Sequence, residues 1–460
     1  MKKTYIDTAM ERIAPDLILK GGNVVDVFSG RVIKADVIIK DGIICGVGSY
    51  SGENEQDVSG KYIMPGFIDS HVHIESSMTQ PSEYAKAVMP HGITTVIADP
   101  HEITNVCGED GLEFMLKSAK NIPLDVNLML PSCVPATPFE HTGANLDAKT
   151  TQKLAPKFFG IGEMMNYPGI VSGDDETLGK LCLDIVDGHA PLLSGHELDA
   201  YASAGIKTDH ECSVIEEMTE KISKGMYILL REGTLSLDVA KLIKGVTPYT
   251  LRRCAFCTDD RFVGEIIRDG SIDHCIRKAV SLGLNNIDAI IMATLNACEI
   301  YGMKNKGAIA PSYVADIVVA DDLNLSSISQ VYKNGKLVCE NGKALFECET
   351  VDNSKVTNTV HLPKISADFF KTDVKDKFDA IELIPESIIT KKVTVSYSDS
   401  LSKVCVIERH HNLGTKGIGF VTNYGITNGA IATSIGHAPQ AALADPAAGS
   451  ILSVSEALTN

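Results

Sequence analysis

The feature that most constrains the fold of this chain is a repeated alternation of apolar strand-like segments and helical patterns between residues 65 and 306. Strand candidates such as Thr94–Asp99 and Phe159–Glu163 alternate with helical segments such as Pro81–Met89 and Glu109–Ala119. Further strand candidates are Asp125–Leu130, Leu183–Gly188, Gly205–Asp209, Met226–Leu230 and Cys254–Thr258. This repetition predicts a (β/α)8 barrel over 65–306. A doubly wound sheet is the competitor, but it usually carries a glycine-rich phosphate loop, and neither GxGxxG nor GxxxxGK is present.

Strand-like segments with a different pattern, without intervening helices, flank this region on both sides. Residues 17–64 contain short apolar runs separated by turn signals such as Asp41-Gly42, and the same pattern returns over 315–343. We predict that 1–64 and 307–350 together build one small β-sandwich. Residues 351–460 carry strand signals of their own and are expected to form an additional C-terminal α+β domain. The predicted fold class is therefore α/β, with a TIM-like (β/α)8 barrel at its centre.

Composition excludes several classes of partner. The formal net charge of −17 argues against a nucleic-acid partner, because phosphate backbones are bound by clustered Lys and Arg. No apolar run approaches the roughly 18 residues of a membrane span. The N-terminal residues 1–16 lack the apolar core of a signal peptide. We expect a cytoplasmic protein with no membrane partner.

The twelve cysteines are scattered along the chain, and many of them lie in apolar contexts. In a cytoplasmic protein, buried free thiols are the default interpretation. Cys254-x-x-Cys257 could be a zinc or redox pair, but no second Cys-x-x-Cys completes a four-thiolate site. We predict inert thiols on a buried strand.

Two histidines two residues apart, His71 and His73, close the apolar segment that begins at Pro65. On an extended strand, residues i and i+2 point to the same side, so both imidazoles can reach one metal ion. A pair of surface or packing histidines is the alternative. A His-x-His pair at the C-terminal end of the first strand is typical of metallohydrolase barrels.

Side chains of metal-ligand type follow several other predicted strands. Reactive side chains of such barrels project from C-terminal strand ends. The candidates at these ends are His71, His73, Asp99-Pro100-His101-Glu102, Glu163, His189, His210 and Asp259-Asp260. Any one alone could be a packing histidine, a helix cap or a surface ion pair. Together, four His, one Glu and one Asp can hold two divalent ions and leave a bridging position for water.

Longer motifs make a specific resemblance. The segments PGFIDSHVHIESSM, HGITTVIADPHEITNVCG, LPSCVPATPFE, GEMMNYPG, DGHAP, TDHE, REGT, FCTDDR, MATLNAC and KGAIAPSYVADIVV lie within residues 15–345. A weaker match covers 382–437, including ERHHNLGTKGIGFV. On these residues the chain resembles the bacterial adenine deaminase family of the amidohydrolase superfamily.

The resemblance implies a ligand set for two metals. His71 and His73 would bind the more buried ion, and His189 and His210 the second. Glu163 would bridge the two, in the place where many relatives carry a carboxylated lysine. Asp259 would approach the first ion and the attacking water, although the sequence leaves Asp260 open as the ligand.

The implied reaction is the hydrolytic deamination of adenine to hypoxanthine and ammonia by a metal-activated bridging hydroxide, a step of purine salvage. Asp259 would take the water proton and pass it to the departing ammonia. Glu102 is a second candidate for proton transfer, with a helix cap as its alternative role, and His101 could orient the hydroxide or polarise the ring. The expected ions are manganese or iron, with zinc as an alternative, and we expect a homo-oligomer, a dimer.

Two other functions stay open at this point. The same two-metal barrel could hydrolyse a cyclic amide or another aminopurine, because pocket groups that motifs do not define select the substrate. A catalytically impaired or partner-binding chain is the second alternative. After Gly436-His437 the sequence departs from the family pattern into an Ala-rich tail, which predicts a C-terminal domain that is incomplete after about residue 437.

Overall fold

The chain divides into two compact units. The computed structural model describes residues 2–137, 140–373, 376–384, 390–398, 401–425, 429–433 and 441–445. The first unit comprises residues 1–100, 115–132 and 148–351. The second comprises residues 101–114, 133–147 and 352–460.

The first unit carries seventeen strands in its described residues. In chain order they are β1 (Leu17–Asp26), β2 (Arg31–Lys40), β3 (Ile43–Gly48), β4 (Glu55–Asp57), β5 (Tyr62–Pro65), β6 (Phe67–Val72), β7 (Ile93–Ala98), β8 (Asp125–Leu130), β9 (Gly160–Met164), β10 (Val186–Gly188), β11 (Thr208–Asp209), β12 (Tyr227–Arg231), β13 (Cys254–Cys257), β14 (Ile317–Ala320), β15 (Ile328–Lys333), β16 (Lys336–Glu340) and β17 (Lys343–Ala344).

Helices alternate with the central strands. They are α1 (Lys2–Ala9), α2 (Pro81–Val88), α3 (His101–Ser118), α4 (Ala148–Leu154), α5 (Tyr167–Ser172), α6 (Asp175–Gly179), α7 (Gly195–Ser203), α8 (Ile215–Ser223), α9 (Val239–Leu242), α10 (Val263–Asp269), α11 (Ile272–Ser281), α12 (Asn286–Met292) and α13 (Leu295–Ile300). Short 3-10 helices lie at Ile74–Ser77, Met89–His91, Ala155–Lys157, Ile243–Gly245 and Leu251–Arg253. Among the described residues, none of the helices is long and apolar enough to cross a membrane.

Nine of the strands form one sheet that draws on both flanks of the central region. Their order is β17-β16-β15-β14-β5-β1-β2-β3, and β4 pairs with β1. The flanks meet where β5 pairs antiparallel with β14, so that Met64 lies opposite Val318. The buried core of this sheet combines Leu19 from the first flank with Ile317 and Val319 from the second. Both flanks thus contribute strands to one sheet, while the bounds of the predicted β-sandwich, 1–64 and 307–350, stay a prediction.

Strands β6 to β13 are the parallel strands of the barrel, and they lie in two hydrogen-bonded groups. Five pair in the order β10-β9-β8-β7-β6, and three in the order β11-β12-β13. The groups meet on one side at a parallel bridge between Val72 and Asp259. On the other side the Gly188 N–H donates to Thr208 Oγ1 at 3.1 Å. The barrel predicted from the alternating pattern is confirmed.

Burial made the barrel strands recognisable in the sequence, but it did not indicate how long each strand is. All six residues of β6 and all six of β7 are buried, because both faces of a barrel strand are covered. The predicted strands over Leu183–Gly188 and Gly205–Asp209 are shorter, reduced to β10 and β11. Strand length depends on backbone pairing with neighbours, which apolar content alone does not report.

Helix α3 begins eight residues before the predicted start at Glu109. Gly108 lies inside it with φ of 56° and ψ of −133°, a conformation that residues with a side chain rarely adopt. The glycine divides α3 into two stretches, and the helical pattern in the sequence was evident only in the second. His101 and Glu102 therefore lie in the first turn of a helix rather than at the end of a strand.

The second unit contains a six-stranded sheet. Its strands are β18 (Phe378–Leu383), β19 (Thr390–Val395), β20 (Ser402–Ile407), β21 (Lys416–Thr422), β22 (Ile431–Thr433) and β23 (Ala441–Asp445), and a 3-10 helix covers Ala367–Phe370. They are arranged in the order β19-β18-β21-β20-β23-β22. Phe370, Cys405 and Ile407 form one small core of this unit. The expectation of an incomplete end concerns residues 438–460, of which all but 441–445 lie outside the described part.

The Cys254-x-x-Cys257 pair lies on a buried strand, β13. All twelve cysteines are free thiols, and Cys254 and Cys257 are both buried. Burial raises the pKa of Cys254 to about 12, which keeps this thiol protonated and unreactive.

The close approach of β10 and β11 at Gly188 generates a stability prediction. A Cβ at this position would lie 2.1 Å from the carbonyl oxygen of Thr208, a backbone atom that cannot move without disturbing β11. We expect Gly188→Ala to lower the free energy of unfolding by about 1–3 kcal/mol. Thermal unfolding followed by circular dichroism measures the effect.

Gly417→Ala is the matched control, because none of the residues that the structure describes has an atom within 4 Å of the Cβ position there, and Gly417 lies in the extended strand β21. Equal unfolding midpoints for the two variants would contradict the prediction.

Candidate metal centre

The His-x-His pair lies at the C-terminal end of β6. Both side chains are fully buried, and the Nε2 atoms of His71 and His73 are 3.1 Å apart. The two rings converge because residues i and i+2 of an extended strand share a side. His73 Nδ1 lies 2.9 Å from the carbonyl oxygen of Asp99, a hydrogen bond that orients the ring.

The carboxylate of Glu163, near the end of β9, lies between two groups of histidines. Its Oε1 is 3.5 Å from His73 Nε2. Its Oε2 is 2.6 Å from His189 Nδ1 and 3.1 Å from His210 Nε2. The backbone N–H of Glu163 donates to Asp99 Oδ2 at 2.8 Å. A carboxylate whose two oxygens face different imidazoles is arranged as a bridging ligand would be.

Asp259 reaches the histidine pair from the end of β13. Its Oδ1 lies 3.0 Å from His73 Nε2 and 3.7 Å from His71 Nε2. Its N–H donates to the His71 carbonyl at 3.0 Å, and its own carbonyl accepts from the His73 N–H at 3.2 Å. Asp260 can also approach His73, and its carboxylate accepts a hydrogen bond from the Ser76 hydroxyl.

The six residues predicted as ligands come together inside the barrel. Among the described residues, the sets whose ligand atoms all lie within 4.8 Å of one another include His71, His73 and Glu163; His71, His210 and Asp259; and Glu163, His189 and His210. Each set shares members with the others. The side chains therefore form one continuous cluster large enough for two subsites.

A buried ion pair ties together the loops that carry His189 and His210. Asp209 Oδ2 accepts a hydrogen bond from the backbone N–H of Ala190 at 2.9 Å. Lys221 is fully buried, and its Nζ lies 3.1 Å from Asp209 Oδ2 and donates to the Ala190 carbonyl at 2.7 Å. Because Ala190 and Asp209 are chain neighbours of the two histidines, this pair fixes the distance between them.

The electrostatics of the cluster favour bound cations. Burial acts to raise the pKa of Glu163, but the hydrogen bond with His189 and the positive charges of His189 and His210 together outweigh it and hold the pKa well below its usual range. For Asp259 burial is again opposed, by the hydrogen bond with His73 and the charge of Arg231, which lower its pKa strongly. Burial disfavours the imidazolium of His189, but Glu163 raises its pKa to about 9. Both carboxylates are thus ionised at neutral pH.

The donor set fits divalent metal ions. His210 Nε2 is buried and forms no hydrogen bond within the described part of the chain, although it lies 3.1 Å from Glu163 Oε2. A buried polar atom without a partner is costly, and a metal ion would supply the missing partner. Imidazole nitrogens combined with carboxylate oxygens suit zinc, iron and manganese.

His101 and Glu102 belong to the second unit, where they begin α3. His101 is buried, and its Nε2 lies 3.6 Å from Glu102 Oε1. Their roles in orienting water and moving protons stay predictions.

One charged side chain that the motif reading did not single out lies at the end of β12. The guanidinium of Arg231 is buried, donates to Asp259 Oδ2 at 2.9 Å and binds the carboxylate of Glu211. Glu211 Oε1 in turn lies 3.5 Å from His210 Nε2. The signal was present, because Arg231 occupies a strand end like the other site residues. Arginine is not a metal ligand, so a pattern of metal-ligand residues does not include Arg231.

Comparison with known proteins identifies relatives over both units. Residues 62–338 match the amidohydrolase family, and residues 383–444 match the adenine deaminase C-terminal domain. The chain is 47% identical to an adenine deaminase of Clostridium acetobutylicum, over 94% of this chain and 79% of that protein. It is 44% identical to adenine deaminase 2 of Desulfotalea psychrophila, over 95% of this chain and 79% of that protein.

More distant solved structures share the fold. The β-aspartyl dipeptidase of Fervidobacterium islandicum AW-1 aligns with a TM-score of 0.52 at 19% identity, over 73% of this chain and 98% of that one. The atrazine chlorohydrolase of Arthrobacter aurescens TC1, solved with zinc, aligns with a TM-score of 0.52 at 14% identity, over 74% of this chain and 98% of that one. By its family match, and by identity to these relatives along nearly its whole length, the chain belongs to the amidohydrolase family and, within it, to the adenine deaminases.

Proposed function

We propose that this protein catalyses the hydrolytic deamination of adenine to hypoxanthine and ammonia. In this reaction water adds to C6 of the purine and the exocyclic C–N bond breaks, so that one water is consumed for each ammonia released. The observation that carries the proposal is the position of Glu163, whose two carboxylate oxygens face His73 on one side and His189 with His210 on the other. Its relatives along nearly the whole chain are adenine deaminases.

The cluster offers two groups of ligands that share Glu163. His71, His73 and Asp259 would hold one ion, and His189 with His210 the other. When bound, two divalent ions supply the positive charge that makes a water molecule acidic enough to react at neutral pH.

Asp259 is proposed as the proton acceptor. Its carboxylate is ionised at neutral pH, since the hydrogen bond with His73 and the charge of Arg231 outweigh the effect of burial and lower its pKa. A carboxylate in this state can take a proton from the attacking water and return it to the departing amino nitrogen. Glu102 is a second candidate for proton transfer, and His101 is a candidate for orienting the water.

The identity of the ions and the assembly state are further parts of the proposal. Mixed nitrogen and oxygen ligands are compatible with manganese, iron or zinc, and we favour manganese or iron. Reconstituting metal-free protein with each ion in turn, under anaerobic conditions for iron, would rank the ions by turnover.

Light scattering after gel filtration would test the proposed dimer, and cell fractionation would test the proposed cytoplasmic location.

The proposed reaction predicts which variants lose activity. Protein loaded with Mn(II) is expected to convert adenine to hypoxanthine, whereas His71→Ala and Glu163→Ala are expected to lose turnover because a ligand is missing. Asp259→Asn is expected to reduce kcat by about 10²- to 10⁴-fold, the range for removal of a general base. Chromatographic quantification of hypoxanthine, with dihydroorotate as a comparison substrate, is the measurement.

His196→Ala serves as the matched control for the histidine variants, because His196 is exposed on α7. Its turnover is expected to equal that of the unchanged protein. Full turnover by Glu163→Ala would show that the bridging assignment is wrong. Ring opening of dihydroorotate without hypoxanthine formation would favour a cyclic amide hydrolase instead.

Metal binding is expected to release protons. Since the pKa of His189 is raised to about 9, its ring carries a proton at pH 8, and that proton must leave before the nitrogen can coordinate. Lowering the pH below 9 makes this displacement harder, so the affinity for Mn(II) should fall. Calorimetric titration of metal-free protein in buffers of different ionisation enthalpy counts the protons.

His189→Gln is expected to bind one ion fewer and to release fewer protons than the unchanged protein. An affinity for Mn(II) that stays constant between pH 7 and pH 9 would contradict this prediction.

A further inference from the structure

Arg231 is a buried cation at the end of a barrel strand that faces the candidate metal centre. Its side chain is only 3% exposed. The next residue, Glu232, is also buried and pairs with Lys278 of α11. Adjacent residues of an extended strand point to opposite sides, which separates the two ion pairs. Of these two residues, Arg231 is therefore the one that faces the candidate metal centre.

The guanidinium binds carboxylates that come from three different loops. It donates to Asp259 Oδ2 at 2.9 Å and through Nε to Asp238 Oδ2 at 3.1 Å. It also donates to both oxygens of Glu211, with Nη2 at 3.3 Å from Oε2. The planar fork of an arginine can satisfy several carboxylates at set angles, which a lysine ammonium cannot do.

The contact with Asp259 decides which of its oxygens faces the histidines. Oδ2 is held by Arg231, while Oδ1 lies 3.0 Å from His73 Nε2. The backbone of Asp259 is held as well, at a φ of 56° in the left-handed region and by hydrogen bonds to the backbone of His71 and His73. With backbone and Oδ2 both fixed, Oδ1 has one accessible direction.

The contact with Glu211 has a similar result on the other side of the cluster. Glu211 Oε1 lies 3.5 Å from His210 Nε2 and 3.8 Å from His189 Nδ1. Without the guanidinium, Glu211 and Asp259 would be two carboxylates buried near each other, free to turn toward any cation. Arg231 neutralises part of that charge and keeps each carboxylate in one orientation.

We infer that Arg231 is a positioning residue for the proposed deamination: it holds Asp259 so that Oδ1 faces the reacting water, and it holds Glu211 beside His189 and His210. This inference rests on the proposed function. It adds a residue that is not of metal-ligand type, yet determines the geometry of the proposed proton acceptor. Misplacement of a reacting group by about 1 Å can reduce a rate by about a hundredfold.

The test compares kcat and KM for adenine in Mn(II)-loaded variants whose metal content and melting temperature are also measured. Arg231→Met is expected to reduce kcat by about a hundredfold while KM changes by less than about threefold, because the acceptor is misplaced rather than the substrate pocket. Arg231→Lys is expected to reduce kcat by about tenfold at an unchanged melting temperature, since an ammonium lacks the fork. This variant also keeps the inference testable if Arg231→Met does not fold.

Glu232→Gln is the matched control, because it removes the charge of a buried carboxylate at the same strand end, in an ion pair that does not include Asp259. Its kcat is expected to stay within about threefold of the unchanged protein. A second test places Arg231→Met in an Asp259→Asn background. If Arg231 acts through Asp259, the second change adds less than about threefold to the loss.

Three results would overturn the inference. The first is a kcat within about threefold of the unchanged protein for folded, metal-loaded Arg231→Met or for Arg231→Lys. The second is a loss of kcat in Glu232→Gln equal to that in Arg231→Met, and the third is fully additive losses of kcat when Arg231→Met is combined with Asp259→Asn. A failure of the proposed function is distinguishable, because the unchanged protein would then form no hypoxanthine from adenine. In that case Co(II) absorption spectra of the unchanged protein and Arg231→Met still compare the orientation of Asp259, and identical spectra overturn the inference.

Discussion

The closure of the barrel between β6 and β13 is the interaction on which the candidate site depends. The N–H of Asp259 donates to the carbonyl of His71, and the N–H of His73 donates to the carbonyl of Asp259. Two residues before His71 on the same strand, the carboxylate of Asp69 accepts a hydrogen bond from the backbone N–H of Thr258 at 3.0 Å. These bonds join the first and last barrel strands, which are separated by nearly two hundred residues, and so place a carboxylate against a histidine pair.

The second constraint is charge. Carboxylates buried among imidazoles are stable only if positive charge compensates them, because an isolated buried ion is strongly disfavoured. In this protein Glu163 is compensated by histidines, while Asp259 and Glu211 share the guanidinium of Arg231. The same compensation prepares the cluster for divalent ions, since it keeps the carboxylates ionised and their oxygens directed inward. Stability and chemistry thus depend on the same contacts.

The rule that reactive side chains follow strand ends predicted most of the cluster. His71 and His73 converge because of their spacing on one strand, which is a local property. Glu163, His189 and His210 each lie at the end of a predicted strand, and the strand ends of a barrel meet at one face. The partnership of Arg231 was not predictable in this way, because the orientation of its guanidinium depends on side chains from three other loops. The start of α3 was missed for a related reason, since Gly108 interrupts its pattern.

The sequence by itself determined the alternation of strands and helices, the strand character of the two flanking segments and the types of side chain at the strand ends. These follow from local periodicity and from general rules of parallel sheets. Only the tertiary structure decided that the two oxygens of Glu163 face different histidines, and that Asp259 presents Oδ1 while Arg231 holds Oδ2. These orientations depend on differences of about an ångström in the positions of residues that are far apart in the chain. Local sequence patterns do not report such differences.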